Sequence, residues 1–469
     1  MDDKTVRTRI APSPTGAPHI ATLYSVIMDY AFAKQQNGQF IWRIEDTDNT
    51  RYVEGSIEKL KEALEWSGLE ADEDNFKGGP YGPYIQSKRL DIYRRYAEEL
   101  IAKGNAYYCF CTKERLEALR AEQIKNKQQP MYDKHCYHLT KEEIDERLDR
   151  RESYVIRLDV PINEKIIVHD LLRGDITFDT NQIDDQVLLK SDGFPTYHLA
   201  VIVDDHLMHI THVVRGEEWL PSTPKHILLY RYFGWTPTYF AHTQILRNPD
   251  HSKMSKRKGD TSILLFKEKG YLPEALVNYL GLLGNPNKEN KEIFDLDYLI
   301  ENFDFKRIPL TGPVFDVTKL EWMNGVYIRN MSREELAERL KPFLHIDISK
   351  KPEIFYVEAV GLIQERIKRL DEGDALLELF YTEPKIDLKV KKDTIKDLLK
   401  ITEDFLDNAE RMEAKIREYA AVNNMKAGEV FMLLRDAVTG KKATPPLIPV
   451  MQVLGKEESV KRIKKSIGE

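Results

Sequence analysis

The chain has 469 residues, which is too long for a single hydrophobic core and predicts three or four domains. The composition, with 42% hydrophobic and 31% charged residues, is typical of a soluble protein. No apolar stretch reaches about 18 residues, which excludes a transmembrane helix, and the N-terminus lacks the apolar core of a signal peptide. The three cysteines are too few for a secreted disulfide framework, so we predict a cytoplasmic protein. The net charge of −7 does not indicate nucleic-acid binding and does not exclude it, since a basic patch can lie on an acidic protein.

Residues 7–22, RTRIAPSPTGAPHIAT, predict a strand, a tight loop and a helix. The segment from Val6 to Ile10 is β-prone, prolines and a glycine then break regular structure, and from Thr22 onward apolar residues recur at helical spacing. His19 is therefore predicted at or just before a helix N-terminus, where unpaired N–H groups and the positive end of the helix dipole suit a phosphate. An ordinary βαβ unit whose loop binds nothing is the alternative.

The following segments continue an α/β pattern. The apolar run from Phe40 to Ile44 predicts a strand that ends in Glu45-Asp46-Thr47-Asp48. Two amphipathic helices are predicted, from Ser56 to Gly68 and from Leu90 to Lys103, with a turn-rich loop from Gly78 to Arg89 between them. Together these segments indicate the start of a doubly wound nucleotide-binding sheet, whose ligands lie at the carboxyl ends of the strands.

All three cysteines fall within one short stretch. One residue separates Cys109 from Cys111, and after 24 intervening residues Cys136 and His138 are again separated by one residue. Three thiolates and an imidazole supply four ligands for a tetrahedral, structural zinc ion. Three unpaired cytosolic thiols are the alternative, but the use of every cysteine in two ligand pairs favours zinc.

Further strands are predicted beyond the cysteines. Tyr154 to Val160 and Asp185 to Leu189 are predicted to be strands of an inserted region. The apolar runs Leu199 to Val203 and Ile210 to Val214 predict buried parallel strands that return the chain to the α/β sheet. Arg215 follows the second run directly, which places it at the carboxyl end of a strand; a surface ion pair is the alternative for this residue.

Residues 251–260, HSKMSKRKGD, contain four cations within six positions. A solvated charged segment is the usual explanation for such a run. A loop with two lysines is also what a polyphosphate leaving group needs, because lysine charges neutralise the negative charge that develops as pyrophosphate departs. Both interpretations remain open from this segment alone.

Beyond residue 325 the strand signals thin out and long amphipathic patterns follow. Helices are predicted from Glu334 to Phe343, from Ile354 to Leu370 and from Thr394 to Tyr419. We predict an all-helical region of two modules that join near Glu383-Pro384-Lys385. The basic residues from Val460 to Lys465 are typical of a solvated helix face.

The segments RIAPSPTGAPHIAT, RIEDTD, GGPYGPYIQS, SDGFPTYHLA, VVRGEEW and KMSKRKG together resemble the bacterial-type glutamyl-tRNA synthetases, a family of class I aminoacyl-tRNA synthetases. The resemblance spans nearly the whole chain and is strongest from Arg7 to Gly325. The cysteine and histidine pattern resembles the zinc knuckle of some members. The helical C-terminal third resembles the family's anticodon-binding region and distinguishes the chain from truncated relatives that modify a tRNA base.

The resemblance implies an α/β Rossmann-type catalytic domain with an inserted α+β acceptor-binding domain, followed by a helical stem-contact region and an all-α anticodon-binding C-terminal third. The implied boundaries are 1–100 and 196–250 for the two halves of the catalytic domain, 101–195 for the acceptor-stem and zinc insertion, 251–325 for the KMSKR loop and stem-contact domain, and 326–383 and 384–469 for two anticodon-binding helical modules.

The implied activity is that of a glutamate–tRNA ligase in translation. ATP and L-glutamate give glutamyl-adenylate and pyrophosphate, and the glutamyl group then passes to the terminal ribose of tRNA(Glu); in this family the first step generally needs bound tRNA. The implied partners and cofactors are ATP with Mg²⁺, one structural Zn²⁺ and tRNA(Glu), with tRNA(Gln) as a second tRNA substrate of dual-specificity members. A monomer that binds no membrane is expected.

The resemblance also implies the site residues. Catalytic roles fall on His19, Thr22, Lys253 and Lys256. The glutamate site is implied to comprise Arg9, Ala11, Ser13, Glu45, Tyr197 and Arg215, with guanidinium groups reading the side-chain carboxylate and Glu45 pairing with the ammonium. The ATP site is implied to comprise His19, Ala21, Thr22, Glu218, Lys253, Met254, Ser255, Lys256 and Arg257. The zinc ligands are implied to be Cys109, Cys111, Cys136 and His138.

One position departs from the family. Ala21 occupies the third place of the His-Ile-Gly-His/Thr motif, where the usual glycine lets adenine lie against bare backbone, so the details of ATP binding need a test. Three hypotheses follow: a glutamate–tRNA ligase, a glutaminyl or dual-specificity relative, and a non-catalytic tRNA-binding paralogue. The lysine loop and the two arginines favour an enzyme. Arg366, in LIQERIKRL, is a candidate reader of the anticodon.

Overall fold

The structure, a computed structural model, describes residues 5–254, 261–384, 388 and 391–469. The chain divides into two units, the first formed by Met1–Leu265 and Val277–Asp316 and the second by Phe266–Leu276 and Val317–Glu469. In the described part of the chain, no helix combines the length and the apolar character that crossing a membrane requires.

The described residues form nine strands and ten helices before residue 302. The strands are β1 (Arg7–Ile10), β2 (Gln39–Trp42), β3 (Ala106–Cys109), β4 (Val155–Leu158), β5 (Lys165–Asp170), β6 (Gly174–Asp179), β7 (Val187–Leu189), β8 (His212–Gly216) and β9 (Tyr239–Thr243). The helices are α1 (Ile20–Gln35), α2 (Ser56–Trp66), α3 (Leu90–Ala102), α4 (Lys113–Lys125), α5 (Lys141–Asp149), α6 (Tyr197–Leu207), α7 (Thr223–Phe233), α8 (Ile263–Glu268), α9 (Pro273–Gly284) and α10 (Leu296–Glu301).

Parallel strands frame the first unit, as the sequence predicts. Strands β1 and β2 pair in parallel, and β9 pairs in parallel with β8 on one side and β5 on the other. The backbone N–H of Thr211, just before β8, donates to the carbonyl of Arg7 in β1 at 2.9 Å, which brings the two groups of parallel strands together. β6 extends β5 as an antiparallel hairpin. The predicted α/β fold is confirmed, and its sheet is mixed because of this hairpin.

A separate antiparallel sheet belongs to the predicted insertion. β4 pairs with β3 and β7, and helices α4 and α5 lie between β3 and β4 in the chain. α5 begins with a capping box, in which Thr140 and Glu143 each hydrogen-bond the other's backbone N–H. This arrangement is the α+β insertion that the sequence predicts between the two parts of the parallel sheet.

The prediction of a strand at Leu199 to Val203 is wrong. These residues lie in helix α6, and all five are at most 1% exposed. A continuous apolar run does not distinguish a buried strand from a helix that is covered on all sides, because neither shows an amphipathic period. The second apolar run does form a strand, β8.

The described residues of the second unit after position 316 contain helices and no strand, as predicted. The helices are α11 (Val317–Asn330), α12 (Arg333–Leu340), α13 (Glu353–Ile363), α14 (Gly373–Tyr381), α15 (Lys392–Phe405), α16 (Ala409–Val422), α17 (Ala427–Thr439), α18 (Leu447–Leu454) and α19 (Lys456–Ser466). Their apolar faces form one core that runs from Leu336 in α12 to Ile463 in α19.

Two predicted helix boundaries in this unit need correction. The single pattern from Thr394 to Tyr419 corresponds to two helices, because Asn408 caps α16 through a hydrogen bond from the backbone N–H of Arg411. The helix predicted from Ile354 to Leu370 ends at Ile363. Lys385, at the predicted join between modules, lies outside the described residues.

Candidate active site

A cavity of about 930 Å³ lies at the carboxyl ends of the parallel strands of the first unit. Its wall includes Ser13 after β1, Glu45 after β2, Arg215 in β8 and Gln244 after β9. The cavity therefore occupies the edge of the sheet at which the sequence predicts a ligand. Ten of the predicted substrate residues line it: Arg9, Ala11, Ser13, His19, Ala21, Thr22, Glu45, Tyr197, Arg215 and Glu218.

His19 lies at the N-terminus of helix α1, as predicted. It is the N-cap residue, with extended backbone angles, and its Nδ1 accepts a hydrogen bond from the backbone N–H of Ala21 at 3.0 Å. An imidazole that accepts at Nδ1 carries its proton on Nε2 when it is neutral. The cap thus leaves Nε2 as the donor nitrogen, at the positive end of a helix, where an anionic ligand is stabilised.

The described residues on both sides of positions 255–260 contact groups that line the cavity. Lys253 lies 3.4 Å from the carboxylate of Glu218. On the other side, the backbone N–H of Ile20 donates to Thr261 at 2.8 Å, and that of Ile263 donates to Pro18 at 3.0 Å. Met254 is buried and lies beside Lys253 in the chain. The predicted ATP-site residues Ser255, Lys256 and Arg257 lie outside the described residues.

A fully buried arginine connects the two predicted ends of the amino-acid site. Arg43 donates to Asp205 at 2.7 Å and to Glu45 at 3.0 Å. Burial raises the pKa of Glu45, although the charges of Arg43 and Arg9 oppose that shift. Burial also acts to raise the pKa of Asp205, but the same two arginines outweigh it and hold that pKa below its usual value. Asp205 in turn accepts from Nε of Arg9 at 3.3 Å.

Arg215 is also buried, but its partners differ. Its Nε donates to Nε2 of His242 at 3.0 Å, and its terminal nitrogens donate to the hydroxyl groups of Tyr197 at 2.9 Å and Thr223 at 2.8 Å. His226 Nδ1 lies 3.5 Å from both terminal nitrogens. In the part of the chain that the structure describes, no carboxylate pairs with Arg215. Burial lowers its pKa, because a buried guanidinium without a counterion is unfavourable.

The histidines around Arg215 are held neutral. Burial lowers the pKa of His226 well below its usual value, and the neighbouring charge of Arg215 lowers it further. Burial likewise lowers the pKa of His198 to about 3, and its Nδ1 lies 3.2 Å from Nε2 of His226. Neutral imidazoles beside a guanidinium can accept hydrogen bonds without adding repulsion. The pocket therefore presents a cation whose described partners are all neutral.

The three cysteines converge in the insertion, while His138 lies apart from them. The sulfur atoms of Cys109, Cys111 and Cys136 all lie within 4.8 Å of one another. A tetrahedral zinc ion needs sulfur atoms about 3.8 Å apart, so this spacing fits zinc after a small adjustment. A hydrogen bond from Cys136, with further bonds from Tyr132 and Arg157, lowers the pKa of Cys109 and favours its thiolate, while the same bond raises the pKa of Cys136. The exposed His138 is not part of this cluster.

Tyr132 contacts all three cysteines of this cluster. Its hydroxyl lies 3.4 Å from Sγ of Cys109 and 3.3 Å from Sγ of Cys111, and it accepts from the backbone N–H of Cys136 at 2.9 Å. Sequence reasoning missed this residue, because tyrosine is not among the usual zinc ligands and four positions separate it from Cys136.

Sequence reasoning also missed the buried groups behind the pocket. Arg43 and Asp205 both had a detectable signal, since each is a charged residue at the end of an apolar run. Thr223 and His242 had none: a threonine at the start of a helix and a histidine in a strand are ordinary, and only the fold brings them to Arg215.

Comparisons with known proteins show which family this chain resembles along its length. The family described as tRNA synthetases class I (E and Q), catalytic domain, matches residues 5–322, and an anticodon-binding domain matches residues 335–467. The glutamate–tRNA ligase of Dehalococcoides mccartyi is 45% identical over 98% of this chain and 97% of its own length. That of Thermus thermophilus is 46% identical over 98% of this chain and all of its own length.

A solved structure is similar over the same extent. The crystal structure of a glutamate tRNA ligase from Elizabethkingia meningosepticum, in complex with its amino acid, has a TM-score of 0.90 and 36% sequence identity, with 99% of each chain covered. The glutamate–tRNA synthetase of Elizabethkingia anophelis has a TM-score of 0.88 and 37% identity, with 99% of this chain and all of that chain covered.

Proposed function

The chain belongs to the family of bacterial glutamate–tRNA ligases, which are class I aminoacyl-tRNA synthetases, and from this premise we propose that its strand-end cavity binds L-glutamate beside ATP. The observation that carries the proposal is the environment of Arg215, a buried guanidinium whose described partners are all neutral. A carboxylate that entered the cavity would supply the missing counterion in a low-dielectric site, where the pairing is strongest. An uncharged amide would not.

We assign the two ends of glutamate to different groups. The side-chain carboxylate binds Arg215, Tyr197 and Arg9, and the ammonium binds Glu45. Ala11 and Ser13, which follow β1, complete the amino-acid end. Arg43 and Asp205 hold Glu45 and Arg9 in place through the bonds described above.

We assign ATP to the N-terminal end of helix α1. That part of the cavity wall is lined by His19, Ala21, Thr22 and Glu218. Lys253 lies 3.4 Å from the carboxylate of Glu218, and Met254 is the next residue in the chain. The assignments of Ser255, Lys256 and Arg257 rest on the sequence alone. Mg²⁺, when bound with ATP, would neutralise part of the charge on the phosphates.

The reaction then has two balanced steps. An oxygen of the α-carboxylate of glutamate attacks the α-phosphorus of ATP. The bond from that phosphorus to pyrophosphate breaks, which gives glutamyl-adenylate. A ribose hydroxyl of the terminal tRNA nucleotide then attacks the activated carbonyl, loses its proton and releases AMP. The chain's own contribution is to bind and orient these groups and to stabilise charge on the departing phosphates.

Pyrophosphate exchange tests the assignment of the amino acid. With ATP, glutamate and tRNA present, we expect exchange by the wild-type protein, and a steep rise in the KM for glutamate in Arg215→Ala and in Arg9→Ala. The reason is that each change removes a charge-assisted bond, which contributes about 1.5–3 kcal/mol. A KM for glutamate that is unchanged in Arg215→Ala would reduce that residue to a structural role. No exchange by the wild-type protein would favour a non-catalytic tRNA-binding paralogue.

The tRNA substrate of this chain is proposed to be tRNA(Glu). Arg366, the candidate anticodon reader, is exposed and lies just after α13, where its backbone N–H donates to Ile363 at 2.8 Å. Charging of purified tRNA(Glu) and tRNA(Gln) by the same preparation tests the choice. Efficient charging of both would establish dual specificity, and Arg366→Ala should then alter the ratio between them if this side chain reads the anticodon.

One zinc ion at Cys109, Cys111 and Cys136 is proposed as a structural group of the insertion, with His138 or Tyr132 as its fourth ligand. When bound, zinc would cross-link the two segments that carry the cysteines and stabilise the folded insertion. Elemental analysis of protein purified without added metal should give about one zinc per chain. His138→Ala and Tyr132→Phe identify the fourth ligand, since only the variant that lacks it should lose zinc more readily to a chelator.

The remaining assignments complete the proposal. The domain boundaries given from the sequence are proposed to hold, and the two family matches, which end and begin near residue 330, support the separation of catalytic and anticodon-binding parts. A monomer in the cytoplasm, where translation takes place, is also proposed. Size-exclusion chromatography with light scattering tests the oligomeric state.

A further inference from the structure

Two buried side chains that do not line the cavity, those of His242 and Asp170, support Arg215. His242, in β9, accepts the Nε hydrogen of Arg215 at 3.0 Å through its own Nε2. The other ring nitrogen of His242, Nδ1, lies 2.6 Å from Oδ2 of Asp170, the last residue of β5. Asp170 and His242 are both 0% exposed in their side chains, so water cannot replace either bond.

Asp170 is itself fixed by the backbone. Its Oδ1 accepts from the N–H groups of Leu172 at 2.9 Å and Arg173 at 3.1 Å, and its Oδ2 accepts from the N–H of His242 at 3.1 Å. Burial alone would raise the pKa of Asp170, but hydrogen bonds from His242 and Leu172 keep it below its usual value. A carboxylate accepts hydrogen bonds and cannot donate one, so Nδ1 of His242 must carry the proton.

The tautomer of His242 determines whether Nε–H of Arg215 faces an acceptor or a second donor. With its proton on Nδ1, the ring presents a lone pair at Nε2 toward the Nε–H of Arg215. With its proton on Nε2, the ring would present a second donor, and the guanidinium would lose its acceptor and turn. Burial lowers the pKa of His242, so the doubly protonated ring, which would also oppose Arg215, is disfavoured.

We propose that Asp170 and His242 are positioning residues for amino-acid recognition: Asp170 fixes the tautomer of His242, and His242 orients the guanidinium of Arg215 so that its terminal nitrogens face the side-chain carboxylate of glutamate. The inference rests on the proposed role of Arg215. It assigns no contact with substrate to Asp170 or His242. It predicts that glutamate recognition depends on a carboxylate that is separated from the substrate by two side chains.

Asp170→Asn is the sharpest test, because it changes one atom of the carboxylate and keeps Oδ1 for the backbone N–H groups of Leu172 and Arg173, so that the N–H of His242 is the one backbone group that loses its acceptor. The amide nitrogen would donate to Nδ1 of His242, and the ring proton would move to Nε2. We expect the KM for glutamate to rise on the order of tenfold to a hundredfold, the range for loss of an outer-shell partner. The KM for ATP should stay near wild type, and discrimination of glutamate against glutamine should fall.

The neighbouring residue offers a matched control. His169 and Asp175 form a second histidine–aspartate pair, in which Nδ1 of His169 lies 2.6 Å from a carboxylate oxygen as in the first pair, but their side chains are 76% and 67% exposed. Asp175→Asn therefore makes the same substitution in the same kind of pair without reaching Arg215. Its KM for glutamate should equal that of the wild-type protein.

A double-mutant cycle separates a positioning role from a structural one. If Asp170 acts through Arg215, Asp170→Asn should have no further effect on glutamate kcat/KM in an Arg215→Ala background. Effects that add in full, or equal losses in the ATP and glutamate parameters, would show a merely structural role and overturn the proposal. A normal KM for glutamate in Asp170→Asn, with a raised KM for glutamate in Arg215→Ala, would overturn the proposed positioning role of Asp170 and His242 and leave the proposed function intact. An unchanged KM in Arg215→Ala would remove both.

The wild-type protein provides a measurement that does not depend on how a variant folds. Histidine labelled with ¹⁵N reports its tautomer by NMR, and the signal of His242 is identified by its loss in His242→Gln. We expect the Nδ1–H tautomer. A ring protonated at Nε2 in the folded wild-type protein would overturn the proposal regardless of the kinetics.

Discussion

Both units bury arginines, and Arg43 of the first unit differs from Arg462 of the second in the kind of partner it has. In the first unit, Arg43 binds the carboxylates of Asp205 and Glu45. Glu45 lines the cavity, and Asp205 accepts from Arg9, which also lines it. In the second unit, Arg462 in α19 pairs with Glu458 at 2.8 Å and donates to the carbonyls of Leu379 and Val438. Those carbonyls belong to the last turns of α14 and α17, which lack partners within their own helices.

The contrast shows that burial of a charge does not by itself mark a functional site. Arg462 closes the ends of two helices and has a structural explanation that needs no ligand. Arg43 connects groups that reach a cavity, so its explanation is incomplete without one. The identity of the partners, rather than the depth of burial, separates the two cases. We therefore expect a substitution of Arg43 to change both stability and kinetics, and a substitution of Arg462 to change stability alone.

The largest effect is expected for Arg43→Met. The change leaves Asp205 and Glu45 as buried carboxylates without their main counterion, and breaking such a pair typically costs about 3–5 kcal/mol. We expect the first unit to lose that amount of unfolding free energy in denaturant titrations. At temperatures where the variant stays folded, the KM for glutamate should rise, because Arg9 and Glu45 both lose their alignment. Wild-type stability would contradict the assigned network.

Lys256→Ala should change kinetics and leave stability unaltered, which is the converse of a structural substitution. Its charge is needed as negative charge grows on the leaving pyrophosphate, so it acts in the transition state. We expect adenylate formation to slow on the order of 10²-fold, as when an enzyme loses one oxyanion donor. Stopped-flow measurement of activation tests this, with Lys269→Ala, a lysine outside the cationic run of residues 251–260, as the control. A near-normal rate in Lys256→Ala would remove the residue from the mechanism.

Arg462→Met tests the other side of the comparison. The carbonyls of Leu379 and Val438 would lose their donor in a buried site, which costs about 1–3 kcal/mol. We expect a lower unfolding midpoint for the second unit and unchanged KM values for glutamate and ATP. Arg462→Lys, which keeps one charged donor, should recover part of the stability. A changed KM for glutamate in Arg462→Met would show that the proposed separation of roles fails.

The sequence predicts the chemistry of the cavity better than the supports behind it. Residues that follow strands, such as Ser13, Glu45 and Arg215, are identifiable because strand ends in a parallel sheet meet at one edge, and the structure brings them to one cavity. His242 and Asp170 are not identifiable, because their roles depend on the pairing of β5 with β9 at Asp170 and Phe240, a contact between positions 70 residues apart in the chain. No local pattern encodes that pairing.

The same limit explains the error at α6. Leu199 to Val203 is apolar on every side, and the period that distinguishes helix from strand is absent when an element is covered all round. The acids that follow were the overlooked signal. Asp204 and Asp205 are consecutive and both buried, and Asp204 accepts from Arg89 at 2.8 Å while Asp205 accepts from Arg43. Two buried acids in succession fit the end of a helix that faces two basic partners.

Ala21→Gly is expected to have the smallest effect, and it tests whether a cavity residue must change kinetics at all. Ala21 lies in the first turn of α1, where backbone angles are helical and require no glycine, and its N–H is bound to Nδ1 of His19 at 3.0 Å. A methyl group forced into a tight contact with adenine would cost about 1–3 kcal/mol unless neighbours move. Because the predicted ATP-site residues His19, Thr22 and Glu218 line the same cavity, we expect a small backbone shift to have absorbed it. The KM for ATP should then change by less than about threefold, under about 1 kcal/mol.

Ala33→Gly, in the same helix but away from the cavity, controls for the lower helix propensity of glycine. A gain in ATP affinity of about tenfold or more in Ala21→Gly alone would show that the methyl group obstructs adenine, and would favour a specialised paralogue over a general ligase.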